Sequence, residues 1–369
     1  MSIRPARRSA PPLAVVRLAV ALRRLLLRAA DAVVPGYLAV YDKMMGAPTT
    51  VLLHVVARLR IPDLIEEHGP LTADELAART GSDADALGRV MRALVSSNVF
   101  QRAGDDRFAH NGVSRALITG RFGTIRGFAE FFGLPPLLRA WAELPQTVAR
   151  GGSAFGRAHG RDIWAWMGED DVARAAFVEG MSDITEQAAP SIAAAYPFNE
   201  VRRLCDVGGG SGMVLAAVLA WHPHLEGVLY DAPEMLAEAP PRLAANGVSD
   251  RVECVPGSFF ERVPSGCDAY LIKTVLHNWP DEGALKILEN CRAAMRPGQR
   301  LIVVDFLYEP ERPSTLISYM DIAGLAIYAD GRERRRADFE RLFQKAGFRI
   351  GRVRPIPGDQ AVIEGVAVA

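Results

Sequence analysis

The stretch Leu204-Cys-Asp-Val-Gly-Gly-Gly-Ser-Gly-Met213 limits the fold more than any other part of this 369-residue chain. Leu204, Cys205 and Val207 read as a short buried strand, three glycines follow, and Ser211 opens an apolar helical run from Met213 to Trp221. A strand that turns through glycine into a helix sets backbone N–H groups and a helix N-terminus against a ligand. Glycine permits positive φ there and lets the ligand approach the main chain closely. A second apolar strand, Leu225–Tyr230, ends at Asp231, about 20 residues beyond the glycines, from where an acid can grip a ribose. In Gly208-x-Gly210-x-Gly212, Met213 stands where a dinucleotide fingerprint needs its third glycine. The spacing favours S-adenosylmethionine over a nicotinamide dinucleotide.

The alternation continues beyond Asp231. The pattern predicts a helix over Pro233–Ala245, a strand over Val252–Val255, a turn at Gly257-Ser-Phe259 and a strand over Ala269–Lys273. A helix over Asp281–Met295, closed by Pro297-Gly298, and a strand over Leu301–Phe306 come next. After a helical insertion over 313–327, the turn Asp330-Gly-Arg-Glu333 and a helix to Lys345, two strands near Phe348–Val353 and Ala361–Val366 read as an antiparallel hairpin at the sheet edge. Strands alternating with helices mean an α/β, doubly wound, mainly parallel sheet. Ligands of such sheets sit beyond the carboxyl ends of the strands, so Asp231, Ser258, Lys273, His277 and Asp305 converge on one side.

Before the sheet the chain reads as helical. Residues 1–34 form a basic helical extension, with arginines at 4, 7, 8, 17, 23, 24 and 28 and no acid before Asp31. Those arginines interrupt the apolar run, which argues against a signal peptide and a stable membrane span. An organellar presequence and a membrane-surface helix fit the composition, but a packing helix is the preferred reading. Leu18, Leu22, Leu25 and Leu26 share one helical face that packs on the protein or on a partner subunit. Residues 35–120 start with a helical pattern from Tyr37 to Leu59 that Gly46 and Pro48 interrupt. Thr72 and Glu75 then form a capping box, Gly81 ends that helix, and Ser82 or Asp83 caps the next one. A two-stranded wing over 99–109 completes a winged-helix pattern. Its second helix offers only Arg89 and Arg92 against Asp83 and Asp85, too little charge to neutralise phosphates. Residues 121–195 read as a helical linker and substrate-pocket region rich in aromatics, and 196–369 as the catalytic sheet domain.

Lys plus Arg and Asp plus Glu both number 43, so net charge points to neither nucleic acid nor an acidic partner. Cys205, Cys254, Cys267 and Cys291 show no paired spacing. They read as core thiols of a cytoplasmic protein, with no disulfide frame and no metal site.

The segments Asp206-Val-Gly-Gly-Gly-Ser-Gly212, Tyr230-Asp-Ala-Pro233, Gly257-Ser-Phe-Phe260, Leu271-Ile-Lys-Thr-Val-Leu-His-Asn-Trp279 and Gly331-Arg-Glu-Arg334 resemble the class I S-adenosylmethionine-dependent O-methyltransferases of the caffeic-acid type. The bacterial small-molecule branch of that family includes enzymes that methylate polyketides, anthracyclines and phenazines. The resemblance runs from about residue 35 onward and implies a Rossmann-like sheet behind an N-terminal, all-helical winged-helix dimerisation domain. It also implies a homodimer, S-adenosylmethionine as cofactor and a small-molecule acceptor. His277 becomes the general base that takes a hydroxyl proton, flanked by Asp305, which is one methylene shorter than the family's glutamate, and by Glu333. Independently of the family, histidine titrates near neutrality, and it removes a proton from a phenol more readily than from an aliphatic alcohol. By the same resemblance Gly208 and Gly210 lie under the methionine portion of the cofactor, Asp231 holds the ribose, Ser258 and Phe259 flank the adenine, and Lys273 lies nearby. The family usually has aspartate at Ser258, a histidine at Ile184 and a bulkier side chain at Gly324. Phe177, Met181, Gly324 and Tyr328 are therefore candidate walls of a larger or more apolar acceptor pocket. Two other functions stand beside O-methylation of a secondary metabolite: a cofactor-dependent hydroxylation or pericyclic reaction on the same fold, and a winged-helix DNA-binding regulator.

Overall fold

The computed structural model describes residues 12–311, 314–328 and 330–369; the arginines at 4, 7 and 8 lie outside the described residues. The chain forms two compact units, one from residues 12–138 and 172–184, the other from 139–171 and 185–369.

In the first unit Thr72 caps the helix Ala73–Thr80: its hydroxyl accepts from Glu75 N at 3.2 Å, and Glu75 Oε2 accepts from Thr72 N at 2.8 Å. Asp83 caps the helix Ala84–Ser96. Strands β1 (Phe100–Ala103) and β2 (Arg107–His110) pair antiparallel, and Leu71 bridges Phe108 to widen this wing. Ile61, Leu76, Leu87, Met91, Leu94, Phe100 and Phe108 form the core beneath it. On the second winged-helix element Arg89 is tied to Asp85 at 2.9 Å, which leaves still less charge for a phosphate backbone. The break in the pattern after Tyr37 falls at Met45, between the helices Gly36–Met44 and Gly46–Arg58, with Pro48 in the first turn of the second, where it blocks no hydrogen bond. The helix Leu13–Ala32 forms as its pattern predicts, but it buries no side chain within its own chain; Leu18 is 72% and Leu25 63% exposed.

The second unit holds a seven-stranded sheet. Its strands are β3 (Arg203–Val207), β4 (Glu226–Asp231), β5 (Val252–Pro256), β6 (Ala269–Lys273), β7 (Arg300–Phe306), β8 (Phe348–Ile356) and β9 (Gln360–Ala367). They lie in the order β5-β4-β3-β6-β7-β9-β8. All neighbours from β5 to β7 are parallel, and the β8–β9 hairpin adds antiparallel to β7. Both faces of the sheet are covered, which is why β3 and β6 are buried almost throughout rather than alternately. Cys205, Val207, Tyr230 and Ile272 pack on one face with Ile287, Leu288, Phe339 and Phe343; Leu204, Leu229 and Leu271 pack on the other with Leu215, Val218 and Phe198. The chain moves from β3 outward through β4 and β5, then returns to β6 on the opposite side of β3. This reversal opens the crevice of a doubly wound sheet, and the glycine turn sits at its lip.

Two local expectations need correction. Pro233–Ala245 is not one helix but two, Pro233–Leu236 and Ala239–Ala245, because Pro240 and Pro241 occupy the first turn of a new helix and donate no backbone hydrogen bond to an older one. Cys254 is not a core thiol: β5 is the sheet edge, and Cys254 is exposed while the other three cysteines are buried.

Candidate active site

The glycine turn leaves β3 with three positive φ angles, 70° at Gly208, 54° at Gly210 and 75° at Gly212. At Gly208 and Gly209 space is the constraint: an added Cβ would lie 2.7 Å from Val275 Cγ2 and from Asp206 Cγ, respectively. At Gly210 the space where a Cβ would point is open. Gly210 N donates to Asp231 Oδ2 at 2.7 Å, and Ala232 N to Oδ1 at 2.8 Å. Asp231 thus joins the end of β4 to the glycine turn. Burial pushes its carboxyl up to about 6, and the two N–H donors oppose that rise.

Two more ionisable groups lie behind the turn. Asp206 is buried, and among the described residues neither of its carboxylate oxygens has a hydrogen-bond partner. Burial and then the Asp231 charge push it up to about 7. Lys273, also buried, donates from Nζ to Thr274 Oγ1 at 3.2 Å; burial draws it down to about 8 against the pull of Asp305 and Asp206. Lys273 thus lies in the field of two buried acids. The hydroxyl of Ser258 accepts from Phe260 N at 3.3 Å within its own turn. Phe259 Cε1 stands 3.5 Å from where a Gly208 Cβ would be, so its ring lines the glycine turn.

Beyond β6 the chain passes through Thr274, whose φ of 49° is unusual for a β-branched residue, into a 3-10 turn, Leu276–Asn278. This turn carries His277. His277 Nδ1 lies 2.9 Å from Glu333 Oε1 and 3.8 Å from Asp305 Oδ1. Asp305 and Glu333 are buried, and among the described residues Asp305 Oδ2 and Glu333 Oε2 have no hydrogen-bond partner. Burial lowers the basicity of His277, but the Asp305 and Glu333 carboxylates outweigh it and hold the imidazolium up at about 9. Burial raises Asp305 to about 6, with His277 opposing. One ligand-type atom from each of His277, Asp305 and Glu333 falls within 4.8 Å of the others. The Nδ1–carboxylate hydrogen bond makes this an acid–base set: it fixes Nδ1 as the proton-bearing nitrogen and leaves Nε2 to exchange a proton.

Of the residues singled out from the sequence, the structure brings together His277, Asp305 and Glu333, and separately Gly208, Gly210, Asp231 and Phe259. Gly324 has another role: an added Cβ would lie 2.5 Å from the Gly331 carbonyl oxygen, so its small size serves close packing on the turn before Glu333. Tyr328 is buried and stacks on Trp164 at 5.8 Å between ring centroids, with its hydroxyl raised by burial and by Glu333. Phe177 and Met181 belong to the first unit, where Phe177 is buried against Phe131 at 5.2 Å and Met181 is half-buried.

Sequence reasoning gave no role to Trp164, Asp206, Asp281 or Arg334. Trp164 stacks on Trp279 at 5.9 Å as well as on Tyr328, and Trp279 meets Phe260 edge-on at 4.7 Å. An aromatic column therefore runs from the Phe259-Phe260 turn to Tyr328. Asp206 and Arg334 both stand inside the motifs quoted above, which was the available signal; Trp164 carried none.

Known proteins are similar to this chain in sequence and fold. The family described as the O-methyltransferase domain matches residues 141–349, and the O-methyltransferase dimerisation domain matches residues 43–120. A mitomycin biosynthesis 6-O-methyltransferase of Streptomyces lavendulae is 38% identical over 86% of this chain and 90% of its own length. The solved structure of a mitomycin 7-O-methyltransferase superposes with a TM-score of 0.84 at 36% identity, covering 92% of this chain and all of that one. An O-methyltransferase of neocarzinostatin biosynthesis, solved with S-adenosylmethionine and 2-hydroxy-5-methyl naphthoic acid, superposes at 0.74 with 30% identity over 87% of this chain and 96% of that one.

Proposed function

The chain belongs to the O-methyltransferase family, and on that premise we propose that it methylates a phenolic hydroxyl of a small-molecule secondary metabolite, with S-adenosylmethionine as donor and His277 as general base. One observation carries the reading: a half-buried imidazole bonded through Nδ1 to buried Glu333, at the carboxyl ends of the strands that frame the glycine turn.

The cradle fits that donor. The open side of Gly210, the Asp231 carboxylate beside it and the unpartnered Asp206 offer a cationic, diol-bearing ligand close main-chain approach and negative charge. Gly208, Gly210 and Asp231 would hold it, with Phe259 against the adenine and Ser258 and Lys273 close by. When bound it supplies an electrophilic methyl group. His277 removes the hydroxyl proton at Nε2, and Glu333 stabilises the imidazolium that results. Asp305, at 3.8 Å, adds charge stabilisation without a direct bond. At pH 7 an imidazolium held up at about 9 is neutral in roughly one molecule in a hundred, so activity rises with pH until that proton is lost. Tyr328 is a proposed wall of the acceptor pocket.

The match to a dimerisation domain supports a homodimer formed through the N-terminal helices. Among the described residues no helix is long and apolar enough to cross a membrane. Incubation with methyl-labelled S-adenosylmethionine and planar hydroxy-aromatic acids, beginning with 2-hydroxy-5-methyl naphthoic acid, tests the function. Label on an acceptor oxygen supports it. Cofactor that binds but transfers no methyl to any acceptor would favour the hydroxylating or pericyclic alternative.

A further inference from the structure

Arg334 is buried to 1% exposure, yet among the described residues its guanidinium contacts no acid of the acid–base set. Its hydrogen bonds go instead to the segment that carries His277. Nη1 donates to the Leu276 carbonyl at 2.7 Å and Nη2 to the Trp279 carbonyl at 2.8 Å, on either side of His277. Nε and Nη2 also donate to Asp281 Oδ1 at 3.1 and 3.0 Å, just after that turn. The main chain of Arg334 reaches in another direction: its carbonyl accepts from Tyr308 N at 2.9 Å, and it bridges Leu307 in parallel, two residues beyond Asp305. The residue before it is Glu333, itself anchored by Glu333 N donating to Asp321 Oδ1 at 2.8 Å. One residue therefore joins the three segments that supply His277, Asp305 and Glu333.

The turn needs such a hold. Thr274 enters it in a left-handed conformation that is strained for a β-branched residue. The carbonyls beyond it are all engaged: Thr274 O by Asn278 Nδ2 at 3.2 Å, Leu276 O and Trp279 O by Arg334, and His277 O by Arg332 N at 2.8 Å. Without the guanidinium, Trp279 O loses its donor, Leu276 O is left with Trp279 N at 3.3 Å, and the Asp281 carboxylate is left with Arg341 Nη2 at 3.1 Å. The turn that carries the imidazole is then free to relax away from Glu333.

We propose that Arg334 is a positioning residue for the reaction, its guanidinium fixing the His277 turn at hydrogen-bonding distance from Glu333. The proposal rests on the reading of His277 as the base. The charged groups that face His277 are Asp305, Glu333 and Lys273; the Arg334 charge lowers Asp305 slightly, and its main action on the set is through distance.

The test uses the full-length protein with ring-labelled histidine, the His277 resonance being identified by its absence in H277A. Its titration is followed in the parent, R334M, R334K and D281N, beside steady-state methyl transfer. In R334M the His277 pKa falls by about one unit or more as the carboxylates move off, and kcat drops on the order of 10–100-fold with KM little changed. R334K keeps the charge without the planar fork, and D281N removes the anchor of the guanidinium; each shifts the titration in the same direction by less. If R334M does not fold, R334K and D281N carry the test. Folded variants with a parent-like His277 titration and kcat would overturn the role of Arg334 while leaving the base assignment intact. Parent-like activity in H277A would overturn the assignment on which the proposal rests.

Discussion

Replacing Glu333 by glutamine removes a charge but keeps an oxygen that can accept from His277 Nδ1, so it isolates the electrostatic part of the pair. The two groups are 2.9 Å apart and Glu333 is buried, so at an effective dielectric constant of about 20 the direct attraction is about 6 kcal/mol. Burial opposes it, and the imidazolium stands at about 9 against an ordinary 6.5, a net stabilisation of about 3 kcal/mol. With Glu333 neutral, burial still pulls downward and only Asp305, at 3.8 Å, pulls upward, so the value drops by about two units. The rate should respond in two opposite ways. A weaker base lowers the alkaline plateau, on the order of tenfold if half the lost basicity appears in the barrier. The neutral fraction near pH 7 rises meanwhile, and the deficit there shrinks or vanishes. The assay is a pH–rate profile of kcat/KM for parent and variant, with an acceptor whose own hydroxyl ionises above the range used. An unmoved shoulder in E333Q, or a deficit larger at neutral than at alkaline pH, would refute the electrostatic coupling.

Other outcomes follow from the same geometry. Asp231→Ala should weaken S-adenosylmethionine binding on the order of 10–100-fold by calorimetry, since it removes the buried carboxylate that accepts from Gly210 N in the glycine turn; unchanged affinity would place the ribose site elsewhere. Gly331→Ala drives a Cβ into the His277 carbonyl, so it should destabilise by about 1–3 kcal/mol in urea and lower kcat beyond that loss; a silent variant would show that the turn yields freely. The raised His277 value stabilises the fold below its unfolded value near 6.5, and that stabilisation is lost as pH climbs through about 9. The parent should therefore lose up to about 3 kcal/mol relative to H277A over this window, and parallel stability curves would contradict it.

Most of the catalytic sheet was legible because its signals are local. The glycine turn, the strand ends and the capping box at Thr72 each depend on a few adjacent residues, and the β8–β9 hairpin formed where its two apolar runs predicted it. The rule that ligands gather at strand carboxyl ends sufficed to bring Asp305 to the side of His277, whereas Glu333 was legible only through the family resemblance. What was not legible depends on distant packing. Cys254 has the apolar neighbours of a core residue, and only the edge position of β5 exposes it. Gly324 resembled a gap left for a ligand, whereas the backbone of Gly331 fills it. Within Arg332-Glu-Arg-Arg-Arg336 nothing local separates the buried Arg334 from its solvated neighbours, because its partners are main-chain carbonyls more than 50 residues earlier. The stacking of Trp164 on Trp279 and Tyr328 likewise joins segments far apart in the chain.

The most direct measurement is the single-turnover rate of methyl transfer by H277A, with S-adenosylmethionine affinity measured on the same preparation. Loss of the base should slow the transfer on the order of 10²–10⁴-fold while cofactor affinity stays within about twofold of the parent. Transfer at the parental rate, with cofactor bound as tightly, would contradict the claim that His277 takes the proton.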